Sequence, residues 1–115
     1  MLIRSQDKRM IVNFENICTV SAFPEKDSED IYVEDGTGSL MVGRYSTKAK
    51  AMKVLDMIQE AYEEYKITRT FLTGFTGHRA IVESNDIHVN GFKELVKSFK
   101  KNMVFQMPED SEAEV

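Results

Sequence analysis

The stretch from Leu40 to Tyr65, LMVGRYSTKAKAMKVLDMIQEAYEEY, constrains this chain more than any other. Ala51, Val54, Leu55, Ile58, Ala61, Tyr62 and Tyr65 follow the i, i+3, i+4 spacing of one helical face. Lys50, Lys53, Asp56, Gln59, Glu60, Glu63 and Glu64 fill the other side. Thr47, or Ser46, is the expected N-cap, because a side-chain oxygen there accepts a hydrogen bond from a free N–H of the first turn. An amphipathic helix over 47–65 needs an apolar surface to cover.

The residues before it supply that surface. Leu2 to Gln6 and Met10 to Phe14 read as strands joined by a tight turn at Asp7-Lys8. Ile17 to Phe23 is rich in β-branched and aromatic residues and reads as a third strand. In it Cys18, Val20 and Ala22 form the uniformly apolar side, expected in the core, with Ile17, Thr19, Ser21 and Phe23 opposite. Asp30 to Glu34 and Leu40 to Tyr45 flank Asp35-Gly36-Thr37-Gly38, whose Asp-Gly suits the positive φ of a hairpin loop. The expectation is an α+β fold: an antiparallel meander of about five strands covered by the long helix.

Beyond Tyr65 the pattern changes. Lys66 to Gly77 carries threonines and phenylalanines that favour strand, interrupted by Gly74 and Gly77. It is compatible with an edge strand or an apolar loop. Arg79 to Glu83 reads as a short strand. Asn90 or Gly91 opens a second, smaller helix near 91–102, with Phe92, Leu95, Val96 and Phe99 on its apolar stripe. Met103 to Met107 reads as a closing strand stopped by Pro108. One domain is expected over 1–108, followed by a disordered acidic tail over 109–115.

Charge narrows the function classes. The formal net charge is −4, with four acidic residues among the last seven. Setting those four aside leaves fifteen acidic against fifteen basic residues. A neutral body with an acidic tail argues against a general nucleic-acid binder. No apolar run has the length of a membrane span or a signal peptide, and a single cysteine cannot form an internal disulfide. A cytoplasmic protein without membrane association is expected.

Three features bear on chemistry. Acidic residues are favoured at a helix N-terminus, whose free N–H groups and aligned dipoles make it positive. Here Arg44, Lys48 and Lys50 stand there instead, beside Ser46 and Thr47, which defines a candidate anion site for phosphate or carboxylate. Phe71, Leu72 and Phe75, in a glycine-punctuated stretch, form a candidate interface or a stacking lid. Arg69, Arg79 and Phe75 join the anion-site candidates if the fold brings their segment to the helix start. The lysine face of the second helix lacks interleaved aromatics and reads as a solvated surface. His78 and His88 have no metal-site spacing around them, and no nucleophile or phosphate-loop motif occurs. The chain reads as non-enzymatic, with no cofactor.

Several segments together are similar to small uncharacterised proteins of Firmicutes phages, prophages and mobile elements. They are Ile3 to Lys8, Ile11 to Phe14, Gly43 to Thr47, Ala51 with Val54-Leu55 and Ile58-Gln59, and Val104 to Pro108. In that group the helix start usually reads T-x-E-x-A, so Lys48 and Lys50 depart from its pattern, and the insert between Tyr65 and Met103 is longer. The resemblance implies a binding role, either inhibiting a host protein or sequestering a defence signal such as a cyclic nucleotide. The leading expectation is a homo-oligomer that binds a host or self protein. The alternative is capture of an anionic nucleotide or phosphate compound.

Overall fold

The computed structural model describes residues 1–76, 97 and 100–114. In chain order the strands are β1 (Leu2–Arg4), β2 (Ile11–Asn13), β3 (Thr19–Pro24), β4 (Glu29–Glu34) and β5 (Ser39–Tyr45). Helix α1 (Lys48–Thr76) follows, then β6 (Val104–Gln106) and a 3-10 turn over Asp110–Ala113. The fold is α+β, and all five expected N-terminal strands form where the alternation places them.

Their pairing divides into two three-stranded sheets. β3, β4 and β5 form an antiparallel sheet in that order, while β1 lies between β2 and β6, antiparallel to the first and parallel to the second. The two sheets adjoin just after β1, where the Gln6 N–H donates to the Val42 carbonyl at 2.8 Å. The Gln6 side chain extends the seam: its Oε1 accepts from the Arg44 N–H at 2.8 Å, and its Nε2 donates to the Arg44 carbonyl at 3.0 Å.

The turns fall where expected, and side chains tie them. Between β1 and β2, Lys8 takes a positive φ of 65° while Asp7 accepts from the Arg9 N–H and the Ser5 hydroxyl. Between β4 and β5, Gly36 has φ 94°, and Asp35 Oδ1 accepts from the Thr37 and Gly38 N–H groups. A bulge follows in β5. Ile31 faces Gly43 and Tyr32 faces Met41, so Val42 is the extra residue, and it turns into the core.

Ile3, Ile31, Val33, Val42 and Tyr45 from the sheets meet Ala51, Val54 and Ile58 from α1 in one buried cluster. Leu55, Ala61, Tyr62 and Tyr65 pack against its margin, so the whole predicted face of the helix is the face in use. Phe14, in the turn after β2, meets Tyr62 with ring centroids 4.8 Å apart.

Four expectations need correction. The segment from Lys66 is neither strand nor loop: α1 runs unbroken to Thr76. Extending an existing helix fixes one residue per hydrogen bond, a lower cost than starting a strand, and the Thr70 hydroxyl bonds back to the Lys66 carbonyl at 2.9 Å. The acidic segment is not a disordered tail over 109–114. Its Ala113 is fully buried and Asp110 is tied to the start of α1, so apolar burial and paired charge hold it. Cys18 precedes β3 and is exposed, its N–H bonded to the Glu34 carbonyl, so only Val20 and Ala22 of its side reach the core. Arg69 is not brought to the helix start, for the reason given below. Of the second expected helix, Lys97, Lys100 and Lys101 are helical, and 91–96, 98 and 99 lie outside the described residues, as does the expected strand at 79–83. Among the described residues, no helix is long and apolar enough to cross a membrane.

Candidate functional site

The start of α1 is where the sequence concentrates cations, and the structure gives each a definite position. Thr47 is the N-cap, its Oγ1 accepting from the Lys50 N–H at 3.2 Å. One residue earlier, Ser46 donates its N–H to Asp110 Oδ1 at 2.7 Å and its hydroxyl to Oδ2 at 3.0 Å. Lys50 Nζ reaches the same Oδ2 at 2.9 Å. The chain's own carboxylate thus sits at the helix start where the sequence places an anion. Those bonds, the Ser46 N–H first and the Lys50 ammonium next, hold the Asp110 carboxyl below the usual carboxylate range.

The segment that delivers Asp110 is anchored on both sides. Before it, Met107 and Pro108 are buried, and the Pro108 carbonyl accepts from the Tyr45 hydroxyl at 2.8 Å and from Gln6 Nε2 at 3.2 Å. After it, Glu112 Oε1 accepts from the Glu109 N–H at 2.9 Å, closing the turn, and Lys53 Nζ donates to the Glu114 carbonyl. Lys48 alone of these lysines stays exposed with no ion pair among the described residues.

Arg44 faces Asp30 across β4 and β5, and its guanidinium grips that carboxylate with Nε on Oδ1 at 3.0 Å and a terminal nitrogen on Oδ2 at 3.0 Å. Asp30 is fully buried and also accepts from the Ser28 hydroxyl at 2.8 Å. Arg44, chiefly, keeps its carboxyl below the usual range.

The remaining candidates lie elsewhere. Arg69 follows Lys50 by 19 positions on one helix, which at about 1.5 Å per residue separates them by roughly 28 Å. It pairs with Glu15 at 3.5 Å, a carboxylate that also faces the Met1 amino group at 3.6 Å. Phe71 is half-exposed, and Leu72 and Phe75 belong to the last turns of α1. Arg79 lies outside the described residues. The geometry thus unites Ser46, Thr47 and Lys50, keeps Arg44 on the neighbouring strand, and leaves Arg69 at the opposite end of the helix.

Sequence reasoning missed Asp30 and Asp110, the carboxylates that engage Arg44 and Lys50, and Glu15, which engages Arg69. The signal for Asp110 was present as an acidic segment and a basic helix start in one chain, with complementary charge. Among the described residues, no group of three or more His, Cys, Asp and Glu side chains is placed to hold a metal ion, and every buried side-chain polar atom is hydrogen-bonded. Comparison with protein-family models, curated proteins and solved structures finds no match for this chain.

Proposed function

We propose that the chain is a non-enzymatic binding protein, of the kind carried by phages and mobile elements, acting through protein–protein contacts as a cytoplasmic homo-oligomer. One observation carries this reading. Large apolar side chains stand exposed among the described residues, Ile67 on α1 at 70%. Exposed apolar surface of this kind gains free energy when a partner covers it. Leu2 and Val104, opposite each other across β1 and β6, add an exposed apolar pair. The engagement of Lys50 and Arg44 within the chain further supports contact through apolar surface.

Sedimentation of the wild type and of the double variant Ile67→Glu, Val104→Glu tests the reading. The expected result is a concentration-dependent mass above the 13.2 kDa of one chain, returning to that value in the variant. A wild type that stays monomeric, with a variant that captures the same host proteins, overturns it.

A second reading, capture of a cyclic nucleotide or another phosphate compound at the helix start, is favoured by the carboxylate already held there. An incoming anion has to displace Asp110. On this reading Asp110→Asn tightens binding and Lys50→Glu removes it. A thermal-shift screen against nucleotides and inorganic phosphate that is flat for both wild type and Asp110→Asn rejects it.

A further inference from the structure

The outer face of the β3–β4–β5 sheet carries chemistry that neither reading uses. The register places Phe23, Asp30 and Arg44 in one row, Ser21, Tyr32 and Met41 in the next, and Thr19, Glu34 and Ser39 in the third. Phe23 is 55% exposed, and its ring meets Tyr32 edge to face, centroids 6.2 Å apart and planes at 88°. The Tyr32 hydroxyl donates to Glu25 Oε1 at 3.1 Å, which ties that carboxylate to the aromatic pair. Phe23, Glu25, Tyr32, Glu34 and Ser39 together line an open depression of about 220 Å³.

We propose that this depression is a docking site for an arginine- or lysine-bearing segment of a partner protein, the cationic side chain lying against Phe23 and Tyr32 between the carboxylates of Glu25 and Glu34. The proposal rests on the reading that the chain acts by binding protein, and it assigns that binding a second surface and a chemistry. Charge complementarity selects the occupant. Glu25 and Glu34 are exposed and form no salt bridge among the described residues. The cation in the Phe23 row, Arg44, is already committed to Asp30. An anion entering here meets two like charges, and a purely apolar anchor strips water from two carboxylates without pairing them. A cation satisfies both, and its head is attracted to the negative faces of the rings. Its aliphatic stem covers the exposed edge of Phe23. The volume is below the range of pockets that enclose a whole small-molecule ligand, which fits a single side chain on an extended segment.

The test is an NMR titration of the full chain with an arginine-containing pentapeptide and with the same peptide carrying citrulline, the neutral isostere. The arginine peptide is expected to shift the amides of 23–25 and 32–34, with binding that weakens as salt rises. Phe23→Ala and Glu34→Gln, both at exposed positions, are each expected to weaken it roughly two- to fivefold. Equal shifts with the citrulline peptide overturn the proposal, as do shifts confined to the acidic turns of α1 around Glu60 and Glu64. Affinity unchanged in both variants, checked for folding by their melting temperatures, overturns it as well. The sedimentation result for Ile67 and Val104 is independent of this titration, so failure here is distinguishable from failure of the binding reading itself.

Discussion

Ser46 and Asp110, 64 positions apart in sequence, meet through two hydrogen bonds, the Ser46 N–H on one carboxylate oxygen at 2.7 Å and its hydroxyl on the other at 3.0 Å. Lys50 completes the clasp at 2.9 Å. The positive end of α1 is thereby neutralised from within the chain, by residues that composition alone marks as a tail.

Two substitutions distinguish the Asp110–Lys50 clasp from the exposed Lys48. Asp110→Asn keeps the size of the side chain but removes the negative charge that Lys50 pairs with, so the melting temperature falls and 109–114 becomes sensitive to proteolysis. Lys48→Glu acts in the opposite direction. It places an acidic residue in the first turn, worth about 0.3–1 kcal/mol at such an end, and it breaks no ion pair among the described residues. Thermal denaturation of the two variants should bracket the wild type.

Gly43 is needed for packing and not for its backbone angle. A Cβ there would stand 2.9 Å from the Tyr45 ring and 3.0 Å from the Met107 methyl. Both side chains are fully buried and have little room to retreat. Gly43→Ala is therefore expected to cost about 1–3 kcal/mol, read from the urea midpoint.

Tyr45 joins the sheet to the C-terminal segment. Its hydroxyl donates to the Pro108 carbonyl, and burial raises its pKa well above that of a free tyrosine. Tyr45→Phe removes one neutral hydrogen bond and leaves Gln6 still bonded to that carbonyl, so a loss of about 0.5–1.5 kcal/mol is expected. Chemical denaturation of the variant checks it.

Acid stability follows from Asp30 and Asp110, whose carboxyls are both depressed in the folded chain. A depressed carboxyl binds its proton less readily folded than unfolded. Its stabilisation is present above about pH 4, the unfolded range, and is lost as pH falls through the lowered folded values. Asp7 and Asp35 are lowered too, by bonds within their own turns. Melting temperature measured from pH 6 to pH 2 should fall below pH 4, and Asp110→Asn should flatten that fall.

Local periodicity makes the strands, the Asp35–Gly38 hairpin and the buried face of α1 legible in the sequence itself. Those features depend on neighbours within a turn or on alternate residues. The length of α1 is not legible there, because helix propagation past Tyr65 overrides the strand preference of Thr68, Thr70 and Phe71. The split into two sheets is also hidden, since it turns on β6 pairing in parallel with β1 from across the chain. The cations of the candidate site are visible in the sequence. Their specific pairing with carboxylates is not, because Asp30–Arg44 and Asp110–Lys50 are contacts that only the tertiary fold creates.

Closure of the helix start by the chain's own C-terminal segment is the relationship on which the rest depends. Amide hydrogen exchange of Ser46 and of 109–112, followed by NMR in wild type and Asp110→Ala, which removes the acceptor, tests it most directly. Slow exchange is predicted at Ser46 and Glu112 in the wild type, with the Ser46 protection lost in the variant. Exchange across 109–112 at the rate of an unstructured peptide, with Ser46 indifferent to the substitution, would contradict it and leave the basic helix start open to an outside anion.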